Sequence, residues 1–598
     1  MTRYAYNLDR QLTRVTRPDG ATVELSYQDD GRLQSIQHGA DAVTLSHDHL
    51  GHVTTINTST DEVLLEYEYD GPLLTGETLS GPFHGRVARV YNNDLQVDRL
   101  DVTNQSPIYY TRDDDGLLVQ AGDLAIERDV ASGMVTATTL GNLRTQQSTN
   151  SFGELETYSA WYEDVLVYEL IYARDIGGRI TGKSETIQGA TKQLAYFYDL
   201  AGRLERVEDG GDIIEQYSYD ENSNRLSASY ASGESQEGSY DAQDRMLSYG
   251  NATYTYTDNG ELTQKTENGQ STEYHYDAMG NLRTVDLPDG RHIEYLIDGR
   301  NRRVGKKIDG VLVQGFLYGD QLNPVAELDG TGQIEKHFVY GNRINVPEYM
   351  QQNGRTLRII CDHLGSPRLV IDAWTGEVVQ QMEHDAFGRS IEDSSPGFTP
   401  FGFAGGIDDG DVGLIRFGAR DYDAHAGRWT AKDPLLFFSG EANLFGFAVS
   451  DPINFVDLTG REPRLAAGRT ESYRNRINAA LDKIRETERG RVLWSKLGDA
   501  CIVITDDKDV CSGRDFAGDY YGGAICVDLK KNEPYPTYDL TPLYPWPIYV
   551  DPSFERALAH ELGHAYESIN GRNHLESDVI NNWENPIGEE WGEPRRAW

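Results

Sequence analysis

The 598-residue chain has few cysteines, few basic residues and no long hydrophobic run, and each shortage excludes a class of protein. Four cysteines, Cys361, Cys501, Cys511 and Cys526, cannot staple a chain of this size, so it folds by burial without a disulfide framework. Lys and Arg together number 55 against 96 Asp and Glu, a net charge of -41 that argues against DNA, RNA or an anionic membrane as a partner. No run of eighteen apolar residues is present, and Met1 leads into Thr-Arg-Tyr-Ala-Tyr, so neither a stable membrane span nor a Sec signal is expected. What the chain has in quantity is Gly, 61 residues, and Tyr, 36 residues, a mixture that favours turns and aromatic strands.

These residues recur in register. Tyr198-Asp199 with Gly202-Arg203-Leu204 is followed by Tyr219-Asp220 with Asn224-Arg225-Leu226 and by Tyr240-Asp241 with Asp244-Arg245-Met246; Tyr256 to Leu262 and Tyr276 to Leu282 continue the series. Each unit reads as a strand ending in Tyr, a tight turn built on Asp and Gly, and a returning strand. Weaker copies stand at Tyr27, Tyr69 and Tyr110, and again at Tyr295, Tyr318 and His384. A lone hairpin cannot bury its apolar face, so neighbours must stack edge to edge into a long curling sheet. The Tyr, Asp and Gly of the repeats are read as scaffold.

The repeats resemble the tyrosine-aspartate (YD) repeats of the RHS family, whose relatives include the cocoon subunits of insecticidal toxin complexes and the teneurins. The resemblance implies a mainly β fold, with hairpins over residues 1–410 winding into a hollow shell or barrel. Residues 411–461 resemble the RHS-associated segment that closes such a shell. In that family it acts as an aspartic self-protease, and the matching positions here are Arg420, Asp433 and Asp457, with the cut at residues 460 to 462. Leu458 and Arg461 depart from the Pro and Leu usual there. Two carboxylates that share a proton supply one base to activate water and one acid for the leaving amine, although the 24 residues between Asp433 and Asp457 mean that only tertiary folding can pair them.

Beyond Gly460 the texture changes. Residues 471–497 carry apolar side chains at helical spacing, and 500–505 and 524–529 read as short strands. From Asp551, a good N-cap, to Gly571, a good C′ residue, the pattern predicts a helix containing His560-Glu561-Leu562-Gly563-His564. Residues four apart share a helix face, so His560 and His564 can hold one Zn2+ while Glu561 serves as general base to its water. The third metal ligand is Glu584 on this reading, with Glu589, Glu590, Asp578 and His574 as alternatives.

Residues 462–598 also resemble effector metallopeptidases found behind bacterial delivery scaffolds, an expected α+β zincin-like domain. The whole is thus expected to be a polymorphic toxin: a shell around a zinc endopeptidase, delivered into a target cell by a specialised secretion apparatus. The partners expected are a target-cell protein substrate, an immunity protein, delivery proteins and a second copy that closes the shell. The rival reading is a non-enzymatic, teneurin-like scaffold or adhesion protein with a partner-binding C-terminal domain.

Overall fold

The computed structural model describes residues 2–439 and 442–461, together with the backbone of three short strands at Arg464–Leu465, Cys501–Thr505 and Ala524–Asp528. The last two pair antiparallel with Cys501 opposite Asp528, as the apolar runs predict. The helix expected over 551–571 lies outside the described residues.

Alternation explains the strands. In Ala252–Tyr256 the residues Ala252 and Tyr254 are buried while Thr253 and Thr255 face solvent, the pattern of a sheet with one wet face. From Arg3–Tyr6 to Ser390–Asp393, 38 strands form one sheet in which consecutive strands pair antiparallel.

The turn residues account for themselves. Oδ1 of Asp199 accepts the backbone N–H groups of Ala201 (2.9 Å) and Arg203 (3.0 Å), while Arg203 Nε donates back to Oδ2 at 2.7 Å. Asp220, Asp241, Asp277 and Asp298 cap their own turns the same way. Gly202 sits at φ +84°, a conformation glycine takes without steric cost. Several tyrosines at the strand ends reach across the preceding hairpin. Tyr219, Tyr240 and Tyr318 donate to the carbonyls of Leu204 (2.8 Å), Arg225 (2.7 Å) and Arg303 (2.8 Å). The unit is therefore a clasp: the ring packs against the shared core and the hydroxyl pins the preceding hairpin.

A register shift falls just before the same tyrosine, between Ser218 and Tyr219 and between Ser239 and Tyr240. Such bulges add right-handed twist, and the sheet curls. Residues about 220 apart then meet: Arg283 pairs with Asp61 at 2.7 Å, Tyr349 Oη accepts from Asp123 N at 3.0 Å, and Tyr162 Oη donates to Trp374 O at 2.9 Å.

Of the hollow shell or barrel expected from the repeats, the strands fit the shell, and no closed barrel is seen among the described residues. Arg3–Tyr6 and Ser390–Asp393 each pair on one side only among the described residues. Successive turns of the coil meet through side chains, as in these three contacts, and through the backbone bond from Asn142 N to Ala373 O at 2.8 Å, and among the described residues the first strand does not pair with the last.

Residues 400–461 cross the turn rows. Thr430 O accepts from Leu262 N (2.9 Å) and Thr430 Oγ1 from Tyr276 Oη (3.0 Å); Arg428 donates to Asp244 O, and Asn443 to Asn224. Asn454 takes Ile180 N at 2.9 Å and donates to Tyr198 Oη at 2.9 Å. The segment thus stitches hairpins that are far apart along the chain.

Candidate functional site

The closing segment is locally a small four-stranded sheet, Ile407–Asp409, Leu414–Phe417, Arg420–Asp423 and Arg428–Trp429. Beneath it lies an aromatic cluster in which Tyr422 meets Phe447 at 4.2 Å between ring centroids and Trp429 meets Phe417 at 5.8 Å. A rigid apolar floor of this kind can hold charged groups out of water.

On it the structure brings together the three junction residues expected from the sequence. Arg420 Nη2 lies 2.9 Å from Asp433 Oδ2 and 3.0 Å from Asp457 Oδ2, so one nitrogen bridges both carboxylates. All three side chains are at most 4 % exposed. Nε of the same arginine donates to the carbonyl of Gly460 at 2.6 Å, and Nη1 to Leu444 O at 3.3 Å. The guanidinium carbon stands 4.2 Å over the Trp429 ring, a favourable face for a desolvated cation.

The backbone after Asp457 folds back onto it. Asp457 Oδ1 accepts Arg461 N at 3.0 Å and Thr459 Oγ1 at 3.2 Å, while Asp433 Oδ1 accepts Leu435 N at 2.7 Å. Gly460 has φ +65°, and a side chain there would collide with the Phe417 carbonyl. Glycine is required at this point because the chain turns sharply against the strand that carries Arg420.

The Gly460–Arg461 peptide is thus held at both ends, its carbonyl oxygen by a guanidinium and its N–H by a carboxylate. Such an arrangement can polarise the carbonyl and sets a carboxylate against the amide nitrogen. A neighbouring carboxylate has a different character. Burial pushes Asp451 up to about 7, against hydrogen bonds from Asn454 N (3.2 Å) and Nδ2 (2.9 Å) that favour its ionised form.

His560, Glu561, His564 and Glu584 lie outside the described residues. Among the described residues, Glu273, His275 and Asp286 carry possible metal donors within 4.8 Å of one another. The sequence reading missed them, although two donors spaced i, i+2 on a strand are a readable signal. It also missed Trp429 as the surface under Arg420. The buried Asp421, which binds Arg303 and Arg416 at 2.9 Å each, was equally unforeseen, because its partners sit 118 and 5 residues away.

A family model described as the teneurin YD-shell matches residues 1–453. The chain belongs to this family. Mouse Teneurin-4 is 26 % identical over 411 residues, covering 65 % of this chain and 14 % of the relative. Zebrafish (Danio rerio) Teneurin-3 is 26 % identical over 487 residues, 75 % of this chain and 17 % of the relative. A protein of Bacillus spizizenii named tRNA3(Ser)-specific nuclease WapA is 24 % identical over 43 % of this chain and 11 % of its own. The chain therefore spans about a sixth or less of the length of these relatives.

Among solved structures, the crystal structure of TcdB2-TccC3 superposes with a TM-score of 0.57 at 14 % identity over 77 % of this chain and 28 % of that one. The Photorhabdus luminescens Tc holotoxin pore gives 0.57 at 13 % identity over 79 % and 27 %. At these identities the likeness shows the fold: an antiparallel β-shell related to Tc-toxin shell subunits. Among the described residues no helix is long and apolar enough to cross a membrane.

Proposed function

We propose that the chain is a YD-repeat shell scaffold that severs its own backbone beside Gly460 and releases the segment that follows. The observation that carries this reading is the Arg420 guanidinium, which joins Asp433 to Asp457 while its Nε holds the Gly460 carbonyl. One carboxylate takes a proton from the attacking water. Arg420 stabilises charge on the carbonyl oxygen, and the proton taken from the water is handed on through Asp457, whose Oδ1 lies at Arg461 N, to the amine nitrogen as its bond to the carbonyl carbon breaks. Residues 1–410 serve as shell, 411–461 as closing segment and 462–598 as the released part.

For that released part we propose a zinc endopeptidase acting on a target-cell protein, a reading that stands on the sequence pattern alone. His560 and His564, with Glu584 third, would hold Zn2+, and Glu561 would be the base; bound zinc supplies an acidified water. Delivery by a specialised apparatus, protection of the producer by an immunity protein, and pairing of two copies at the open edges belong to the same reading.

The comparisons favour the shell half of the proposal over the peptidase half. The family match over residues 1–453 and the teneurin relatives back the rival reading, a non-enzymatic scaffold or adhesion protein with a partner-binding C-terminal domain, better than the peptidase. The test is the full chain, expressed and analysed by denaturing electrophoresis and N-terminal sequencing. The parent should yield a fragment beginning within residues 461 to 463, and Asp457→Asn should stay intact. An intact parent chain would overturn the self-cleavage.

A further inference from the structure

Away from Arg420, metal-type donors converge on the exposed face of three consecutive strands, Gln270–Tyr276, Leu282–Asp286 and His292–Ile297. The register sets Glu273 opposite Asp286 and Asp286 opposite His292, a single row across the sheet. His275 stands two residues beyond Glu273 and so projects from the same face. Beneath the row, Tyr274, Val285 and Ile293 are buried at 4, 0 and 0 % exposure and fix the strands that carry it.

The Asp286 carboxylate sits between two imidazoles. Its Oδ1 is 2.6 Å from His292 Nδ1 and its Oδ2 is 3.2 Å from His275 Nε2. Donor atoms of Glu273, His275 and Asp286 all fall within 4.8 Å of one another. Lys307, on the strand beyond His292, is engaged by Glu294 at 3.2 Å. With neutral imidazoles the four residues carry two negative charges.

We propose that Glu273, His275, Asp286 and His292 form a surface site for a first-row transition-metal dication on the exposed face of these three strands. The donor chemistry selects the ion: two imidazoles suit zinc, nickel or copper, whereas magnesium and calcium ask for oxygen alone. A tetrahedral ion with bonds of about 2.1 Å sets its donors roughly 3.4 Å apart. The side chains reach that spacing by rotating χ angles at positions that are 40 to 56 % exposed in His292, Asp286 and His275. The imidazole N–H groups now aimed at Asp286 give way, by tautomer exchange, to lone pairs aimed at the ion. The occupant would tie three strands together and stabilise them by linkage.

The site is independent of the proposed cleavage and of the C-terminal His-Glu-x-x-His motif, and the test separates them. The full chain carrying His560→Ala and His564→Ala, stripped with chelator, is titrated with Zn2+ by calorimetry. One equivalent is expected to bind. Adding His275→Gln and His292→Gln should weaken it by about 100-fold or more, while a large excess of Mg2+ or Ca2+ should not compete. Because both histidines are half-exposed, the variants fold, and their unchanged melting temperature without metal checks this. Zinc should raise the melting temperature only when His275 and His292 are present. No binding, or equal binding without the two histidines, would overturn the proposal.

Discussion

The repeat turns and the closing segment both rest on aspartates paired with arginines, yet the two regions use the pair in opposite ways. In the turns the partner is local: Arg203 closes on Asp199 four residues back at 2.7 Å, with the side chains 16 and 22 % exposed. In the closing segment the partners are dry, and one of them is distant. Asp421, 1 % exposed at its side chain, joins Arg416 to Arg303, a residue of the shell 118 positions earlier. A local, wet pair shapes one hairpin, and a remote, buried pair makes the fold conditional on the whole chain being in place. The same chemical couple serves as punctuation in one region and as a lock in the other.

The sharpest way to break this contrast is to remove one aspartate of each kind. Asp421→Ala strands two buried guanidinium groups and should cost about 3–5 kcal/mol. Asp199→Ala removes hydrogen bonds that water replaces and should cost about 1 kcal/mol. Denaturant unfolding of the full chain in an Asp457→Asn background, where self-cleavage is blocked, measures both. Equal losses would show that Asp421 is no lock.

The same contrast explains what could be read without a structure. The turn chemistry is local, so Tyr198-Asp199 to Leu204 announces a hairpin from six or seven residues, and the strands around it follow from period-two alternation. The pairing of Asp433 with Asp457 was expected from family resemblance, since no spacing rule brings 24 residues of irregular chain to one nitrogen. The contacts of Asp421 with Arg303 and of Asn454 with Tyr198 depend on where the coil returns. That is set by accumulated twist over many hairpins, a sum that no short window of sequence contains. That the sheet does not close into a barrel among the described residues has the same origin.

Acidity sharpens the comparison next. The turn aspartate Asp241 is held below the usual carboxylate range: burial opposes this, but the hydrogen bonds from Arg245 and the turn N–H groups prevail. Asp451 is raised to about 7 by burial, and Glu215 to about 7 by burial and by the nearby Asp385. A carboxyl whose folded value exceeds its unfolded one near 4 binds protons more tightly when folded. Its contribution is therefore fully present at low pH and is lost as pH rises from about 4 through about 7. Asp241 works the other way, its stabilisation present at neutral pH and lost on acidification below the unfolded value. Asp451→Asn should flatten the fall in melting temperature between pH 4 and 7, whereas Asp241→Asn should leave that slope in place. An unaltered slope in Asp451→Asn would place the titration elsewhere.

The smallest effect tests whether a clasp gains strength when the closing segment joins it. Tyr219 Oη donates only to Leu204 O at 2.8 Å, so Tyr219→Phe should cost about 1 kcal/mol. Tyr198 Oη donates to Ile180 O at 2.5 Å and also accepts from Asn454, whose Nδ2 in turn reaches both oxygens of Asp451. Tyr198→Phe removes two hydrogen bonds, one of them from a buried amide, so its loss should exceed that of Tyr219→Phe. A double-mutant cycle of Tyr198→Phe with Asn454→Ala, measured by denaturant unfolding in the Asp457→Asn background, should give a coupling of about 1 kcal/mol. The Tyr219→Phe and Asn454→Ala pair should be additive, because nothing connects them but the sheet. If both cycles are additive, the closing segment lies against the tyrosine clasps without strengthening them.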